Sequence, residues 1–324
     1  MTGPIGIVGA GAFGSALAIA LARQGRNVRL WAREKSVVDG MRISRIIPRL
    51  PGVLLPQNVS VTADLTELSD CTAILLSVPM QVLGRFLMDH SVPLDGRCLV
   101  ACCKGMDLAT QQGPTAIIAK ACPVATTMIL TGPSFATDIA RGQATALTLA
   151  CTDESASEGM QNELSGSILR VYRNTDVIGA ELGGALKNVI AIAAGIVIGA
   201  GLGESARAAL MTRGFAEMVR FASRLGARPE TLMGLSGFGD LVLTCTSDQS
   251  RNYRHGLALG RGEAPDATAT VEGVATAQAI LNHATHLGIA DQIPITAMVA
   301  RVTTGMITTP DAILALMSRP LKEE

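Results

Sequence analysis

Short apolar runs alternate with helical patterns through the first half of the chain. Ile5–Val8, Val28–Trp31, Ala73–Ser77, Cys98–Ala101, Thr127–Leu130, Ala146–Ala150 and Ile168–Tyr172 predict short buried strands. Between them, Ala12–Gln24, Met80–His90, Gln111–Lys120, Ser134–Arg141 and Ser155–Leu164 carry apolar residues at helical spacing. Such alternation predicts an α/β fold with a mostly parallel sheet covered on both faces. From about Val177 the strand pattern stops. Ala180–Ile198, Glu204–Leu225, Tyr253–Leu259, Thr276–Leu287, Ile295–Thr303 and Asp311–Met317 follow as helical segments rich in Ala, Gly and Leu. They predict an all-helical C-terminal domain. At about 150 residues per domain the chain of 324 residues makes two. The expected division is 1–178 and 179–324.

Composition narrows the function. Lys+Arg and Asp+Glu are both 27, which argues against a nucleic-acid binder or a polybasic membrane-surface protein. An anionic ligand must then be held by a local cluster of donors. The 3% aromatic content does not suit a platform for stacking bases. Seven scattered cysteines without a C-x-x-C pair predict reduced thiols, not a disulfide framework or a zinc site. His283 and His286 lie three apart without a third ligand nearby, so no metal site is expected. The longest apolar run, Val189–Leu202, is shorter than the roughly 18 to 20 residues a bilayer needs. Met1–Gly11 enters the first strand pattern without a basic leader. A cytoplasmic protein without a membrane span is expected.

Gly9-Ala10-Gly11-Ala12-Phe13-Gly14 sits between the first predicted strand and its helix, with a second strand at βαβ distance. In that context G-x-G-x-x-G implies a tight turn, close approach of backbone N–H groups to a pyrophosphate, and a helix N-terminus aimed at the anion. An acid at the end of the second strand would bind a ribose 2′-hydroxyl. Ala32 stands there instead and Arg33 follows, a fork suited to a 2′-phosphate. This favours NADP over NAD, and the adjacent Glu34 weakens the preference.

Other predicted strand ends carry candidate donors on the same rim. Lys104 follows Cys102-Cys103, and Thr131-Gly132-Pro133-Ser134 follows the next strand, with Ser134 expected to cap the helix after it. In the helical half, Gly179, Gly183, Lys187, Ala191, Gly195 and Gly199 fall on one helix face at a spacing of four. The small residues imply that another element packs very close. A lysine among them is unexpected, because lysines are rarely buried without a partner. Gly183 is expected to leave space beside Lys187 for a small ligand, with Asn188 nearby. An ammonium so placed stabilises charge on a carbonyl oxygen during reduction and supplies the proton. Asp240, after Gly237-Phe238-Gly239, is a candidate to orient it, and Ser250-Arg251-Asn252 offers several donors to a phosphate.

Together these residues resemble the NAD(P)-dependent glycerol-3-phosphate dehydrogenase family. The resemblance rests on Gly9–Gly14, Cys103-Lys104-Gly105, Leu130–Ala136, Gly184–Val189, Gly239–Cys245, Ser250-Arg251-Asn252 and Val271-Glu272-Gly273, in the family's order. It implies an N-terminal Rossmann-type domain, a helical substrate domain, and reversible reduction of dihydroxyacetone phosphate to sn-glycerol 3-phosphate for phospholipid synthesis. It implies that Lys187 is the proton donor and acceptor, with Asp240 and Asn188 beside it. Lys104, Gly132, Ser134, Thr244, Ser250, Arg251 and Asn252 are implied substrate contacts. Gly9, Gly11, Ala12, Phe13, Gly14, Arg33, Lys104, Ala136, Arg251 and Glu272 are implied contacts of NADP or NAD. A homodimer is compatible with it. Ala12 stands where the family often has serine, Phe13 where it has tyrosine or tryptophan, and Ser236-Gly237-Phe238 where Ala-Gly-Leu is usual.

Two other readings use part of the pattern. A related β-hydroxyacid dehydrogenase, acting on hydroxyisobutyrate or 6-phosphogluconate, would employ the same lysine on a carboxylate substrate. A non-catalytic nucleotide-sensing protein would keep the glycine loop but have no use for Lys187.

Overall fold

The computed structural model describes residues 3–317. They divide into two compact units. One is the chain up to Lys104 together with Gly113–Glu181; the other is Gly105–Gln112 and the chain from Leu182 onward.

The first unit is a single sheet of eight strands among the described residues: β1 (Ile5–Val8), β2 (Val28–Trp31), β3 (Val59–Thr62), β4 (Ala73–Leu76), β5 (Cys98–Ala101), β6 (Thr126–Thr131), β7 (Thr145–Ala150) and β8 (Leu169–Asn174). Their order is β3-β2-β1-β4-β5-β6-β7-β8, and only β6 and β7 are antiparallel. The intervening helices are α1 (Ala12–Arg23), α2 (Lys35–Ser44), α3 (Met80–His90), α4 (Pro114–Ala121), α5 (Ala136–Ala140) and α6 (Glu154–Leu164). Parallel strands joined by helical crossovers are buried on both faces, which is why they read as unbroken apolar runs. Ile5, Ile7, Leu75 and Val100 face a core shared with α1, α5 and α6, while Val8, Leu76, Leu99 and Ala101 face one shared with α3 and α4. The expected α/β architecture is the one observed.

Differences from the sequence expectation are local. β3 is an edge strand of four residues whose Ser60 is exposed, and α2 buries only Val38 and Met41. Neither offers enough periodic apolar positions to stand out. The helix expected from Gln111 starts at Pro114 because Gln111 adopts a left-handed backbone, φ 56°. Ser134 does not cap α5. Its hydroxyl donates to the Gly132 carbonyl at 3.0 Å, and the cap position is Phe135.

The second unit is helical: α7 (Val177–Gly199, which begins in the first unit), α8 (Glu204–Arg224), α9 (Pro229–Met233), α10 (Asp240–Cys245), α11 (Arg251–Arg261), α12 (Glu272–His286), α13 (Pro294–Thr303) and α14 (Thr309–Met317). α7 is long and apolar enough to cross a membrane by length and composition, yet 89% of its apolar window is buried within the protein. Glycine sets how α7 packs. A Cβ on Gly195 would lie 2.1 Å from the Tyr253 carbonyl oxygen, and one on Gly199 2.3 Å from that of Leu257. Reciprocally, a Cβ on Gly256 would lie 1.9 Å from the Ile192 oxygen, and one on Gly260 2.3 Å from the Ile196 oxygen. The backbones of α7 and α11 therefore meet without intervening side chains, in agreement with the row of small residues. Elsewhere in this unit the buried Glu217 carboxylate of α8 accepts from the Ile295 and Thr296 amides and the Thr296 hydroxyl. It thereby satisfies donors at the α13 N-terminus, which has no side-chain cap of its own.

These environments predict opposite signs for one substitution. Gly256→Ala should lower stability by about 1–3 kcal/mol, because the new methyl meets backbone that cannot rotate away. Gly40, inside α2 with nothing within 4 Å of its Cβ position, should gain about 0.5–1 kcal/mol on replacement by alanine. Denaturant unfolding of the two variants checks both signs.

Candidate active site

In the first unit the glycine loop divides its labour by position. Gly9 has φ +109°, and a Cβ there would lie 2.5 Å from the Ser77 carbonyl oxygen. A Cβ on Gly14 would lie 2.1 Å from the Gly9 oxygen. These two glycines close the turn and let α1 pack against β1. Gly11 differs, for its Cβ direction meets nothing within 4 Å. A side chain there would be unstrained but would fill the space over the N-terminus of α1, which no side chain caps. Turn, backbone approach and helix packing are the three tasks a dinucleotide-binding loop needs from glycine. The residues present therefore fit a pyrophosphate. Ala12 and Phe13 form the first turn of α1. Arg33, just past β2, extends into solvent with its side chain 81% exposed and lies 3.5 Å from Glu34.

At the ends of β5 and β6 the structure brings Lys104, Gly132 and Ser134 together. Gly132 has φ +129°, and its carbonyl accepts from Lys104 Nζ at 2.9 Å and from the Ser134 hydroxyl. Ala136 begins α5 two residues later.

In the second unit, Lys187 is 7% exposed despite its charge. Its Nζ lies 3.1 Å from Asp240 Oδ1 and donates to Thr244 Oγ1 at 2.8 Å. Thr244 in turn donates to Asp240 Oδ1 at 3.1 Å. A buried ammonium thus has a carboxylate and a hydroxyl that also touch each other. Asp240 begins α10, directly after a single π-helical turn, Leu235–Gly239. Asp240 is thus an acid held in a helix. Asp240 and Thr244 are four apart, so one helical face presents both. That spacing is the signal by which Thr244 can be found from the residues alone.

The expected ligand space beside Gly183 is absent. A Cβ on Gly183 would lie 2.6 Å from the Ser236 carbonyl oxygen, so the π-helical turn occupies that side of α7. Gly183 brings Asp240 to the lysine; it does not admit a ligand. Cys245, on the same helix as Asp240, is fully buried, and burial pushes its thiol up to about 12. It stays a neutral thiol at ordinary pH.

Asn188 and Asn252 meet at 2.8 Å between α7 and α11, and Asn252 also binds the Gly273 amide. Gly273 carries no chemical signal of its own in the sequence, because its role is a tertiary contact of its backbone. Ser250 caps α11 through the Tyr253 amide. Arg251 and Glu272 are the first residues of α11 and α12. His283 and His286 both face Gln111 Oε1, each 3.3 Å from Nδ1.

Comparison with known proteins places this geometry. Residues 4–157 match the model of the NAD-dependent glycerol-3-phosphate dehydrogenase N-terminus, and residues 176–314 match that of its C-terminus. A glycerol-3-phosphate dehydrogenase (NAD(P)+) of Cereibacter sphaeroides is 61% identical over 320 residues, covering 99% of this chain and 100% of the relative. Its counterpart from Paracoccus denitrificans is 58% identical over 320 residues, covering 99% of each. The crystal structure of a glycerol-3-phosphate dehydrogenase from Coxiella burnetii superposes with a TM-score of 0.93 at 37% identity, covering 98% of this chain and 99% of that one. The chain belongs to the NAD-dependent glycerol-3-phosphate dehydrogenase family.

Proposed function

We propose that this chain reversibly reduces dihydroxyacetone phosphate to sn-glycerol 3-phosphate with NADPH or NADH, in the cytoplasm, and that the product enters glycerophospholipid synthesis. The observation that carries the reading is the buried Lys187, held by Asp240 and Thr244, in a chain whose near relatives carry that enzyme's name along their whole length. A nucleotide sensor has no need to bury an ammonium in this way. None of the cysteines forms a disulfide, in keeping with a reducing compartment.

A reduced nicotinamide bound at the glycine loop would supply the hydride that a ketone reduction needs. Gly9, Gly11, Ala12, Phe13 and Gly14 would hold the pyrophosphate at the α1 N-terminus, and Arg33 would meet a 2′-phosphate. By the family resemblance, Lys104, Ala136, Arg251 and Glu272 would each contact the dinucleotide. Lys187 Nζ hydrogen-bonds the carbonyl oxygen, stabilises the charge that develops there and gives up a proton as the oxygen becomes a hydroxyl. In the reverse direction the neutral amine takes that proton back. Asp240 and Thr244 restrict where Nζ can stand. Asn188 is a second polar group at the reacting oxygen. Arg251 would meet the substrate phosphate, and by the family resemblance Lys104, Gly132, Ser134, Ser250 and Asn252 would each contact the substrate.

Three measurements test this. Lys187→Ala should slow hydride transfer in a single turnover by about 10²- to 10⁴-fold; a rate near wild type removes the lysine from the mechanism. Arg33→Ser should weaken NADPH binding by about 10- to 100-fold, the value of a charge-assisted hydrogen bond, while NADH is little affected; equal losses end the phosphate role. Arg251→Ala should raise the KM for dihydroxyacetone phosphate by a similar factor, and wild type should discriminate strongly against dihydroxyacetone. Equal turnover of the two ketones by wild type would count against a phosphate site.

A further inference from the structure

Both ends of the Asn252 side-chain amide are committed inside the helical unit. Its Oδ1 accepts from the Gly273 backbone N–H at 3.0 Å, and its Nδ2 donates to Asn188 Oδ1 at 2.8 Å. A backbone N–H can only donate. The orientation of the Asn252 amide is therefore fixed, since a flip would set its NH₂ against another donor. The fixed NH₂ of Asn252 then fixes Asn188, whose oxygen must face it. The NH₂ of Asn188 is turned the other way, where it reaches only the Gly184 carbonyl, at 3.4 Å, among the described residues. That carbonyl lies one helical turn back on the same helix. Lys187 is the preceding residue.

The arrangement is enforced by packing. Asn188 is 4% exposed and Asn252 9%, so water does not compensate a wrong orientation. A Cβ on Gly273 would lie 2.7 Å from the Asn188 carbonyl oxygen and 2.8 Å from Asn252 Oδ1. Only glycine lets the α12 N-terminus come close enough to donate. The glycine contacts of α7 with α11 set the short distance that the two amides span.

We propose that Gly273 and Asn252 form a polarity relay that makes Asn188 a hydrogen-bond donor toward the substrate oxygen that Lys187 protonates. Besides bounding the substrate, Asn252 then positions Asn188, and the backbone of α12 dictates the hydrogen-bonding sense of a group at the reacting oxygen. The relay deepens the dehydrogenase reading above and rests on it.

The test compares wild type, Asn252→Asp, Asn188→Ala and the Asn188→Ala/Asn252→Asp double variant. Each is assayed for kcat and KM with dihydroxyacetone phosphate and NADPH, alongside its thermal unfolding midpoint. The carboxylate introduced by Asn252→Asp can still accept from Gly273 but cannot donate to Asn188. kcat should fall about 100-fold, the usual cost of losing one donor at a developing oxyanion; KM rises as well, because the new carboxylate stands among the residues that bound a phosphorylated substrate, so the relay is read from kcat in the cycle that follows. In the Asn188→Ala background the same change should cost less than about threefold in kcat, since no amide is left to orient. A purely structural role would shift the unfolding midpoint and multiply the two losses. Near-wild-type kcat in Asn252→Asp, or multiplied losses, overturns the relay. If Asn252→Asp does not fold, Asn188→Asp replaces it: that variant keeps the acceptor Asn252 needs and drops the donor. It must show the same loss of about 100-fold in kcat, and full activity there overturns the relay. A wild type that does not oxidise NADPH with dihydroxyacetone phosphate overturns the dehydrogenase reading itself, and the relay with it.

Discussion

The structure turns on one ammonium removed from water. Lys187 sits in the middle of α7, the most apolar helix of the chain, and burying a lone charge there would be prohibitive. The Asp240 carboxylate and the Thr244 hydroxyl offset that cost. Removing one member of such a buried pair typically destabilises a protein by about 3–5 kcal/mol. A pair of well-packed apolar residues would serve stability as well or better. The proposed chemistry at a substrate oxygen therefore explains the charge better than anything it adds to the fold.

Glycine makes that placement geometrically possible. Gly183 lets the π-helical turn lie flush against α7, which delivers Asp240 to the lysine from the following helix. Gly195 and Gly199, meeting Gly256 and Gly260, draw α11 against the same helix, so Asn252 reaches Asn188 directly. Gly273 does the same for α12. Each glycine gives up helix propensity of about 1 kcal/mol relative to alanine. What is gained is backbone proximity, and through it a fixed set of polar groups around one nitrogen.

Much of this is legible in the sequence where the cause is local. The glycine loop can be read because a turn, a helix start and a strand are all encoded within a dozen residues. Lys187 stands out because a charge interrupts a row of small residues. The meaning of that row is only half visible. Close packing follows from it, but the room expected beside Gly183 is filled by the turn around Ser236, about fifty residues downstream. The contact of Gly273 is hidden for the same reason, since its partner Asn252 is set by tertiary packing. Ser134 has the residue type of a cap, yet the positive φ of Gly132 turns a carbonyl toward its hydroxyl and the helix starts without it. β3 is only four residues long, and α2 buries only Val38 and Met41, so neither leaves a long periodic apolar signature.

Cofactor choice and chemistry sit in physically different environments. Arg33 is a solvated side chain beside an acid, 81% exposed, and nothing in the core depends on it. A contact of that kind is screened by salt and easily exchanged without cost to the fold. Lys187, Asp240 and Thr244 are the reverse: buried, mutually bonded, and set by glycines that tolerate no side chain. On the proposed reading, a change at Arg33 would alter which dinucleotide is preferred and leave the reduction step intact, whereas a change at the lysine cluster would unsettle packing and catalysis together. On that reading the chain would be tuned between NADP and NAD far more readily than moved to a different reaction.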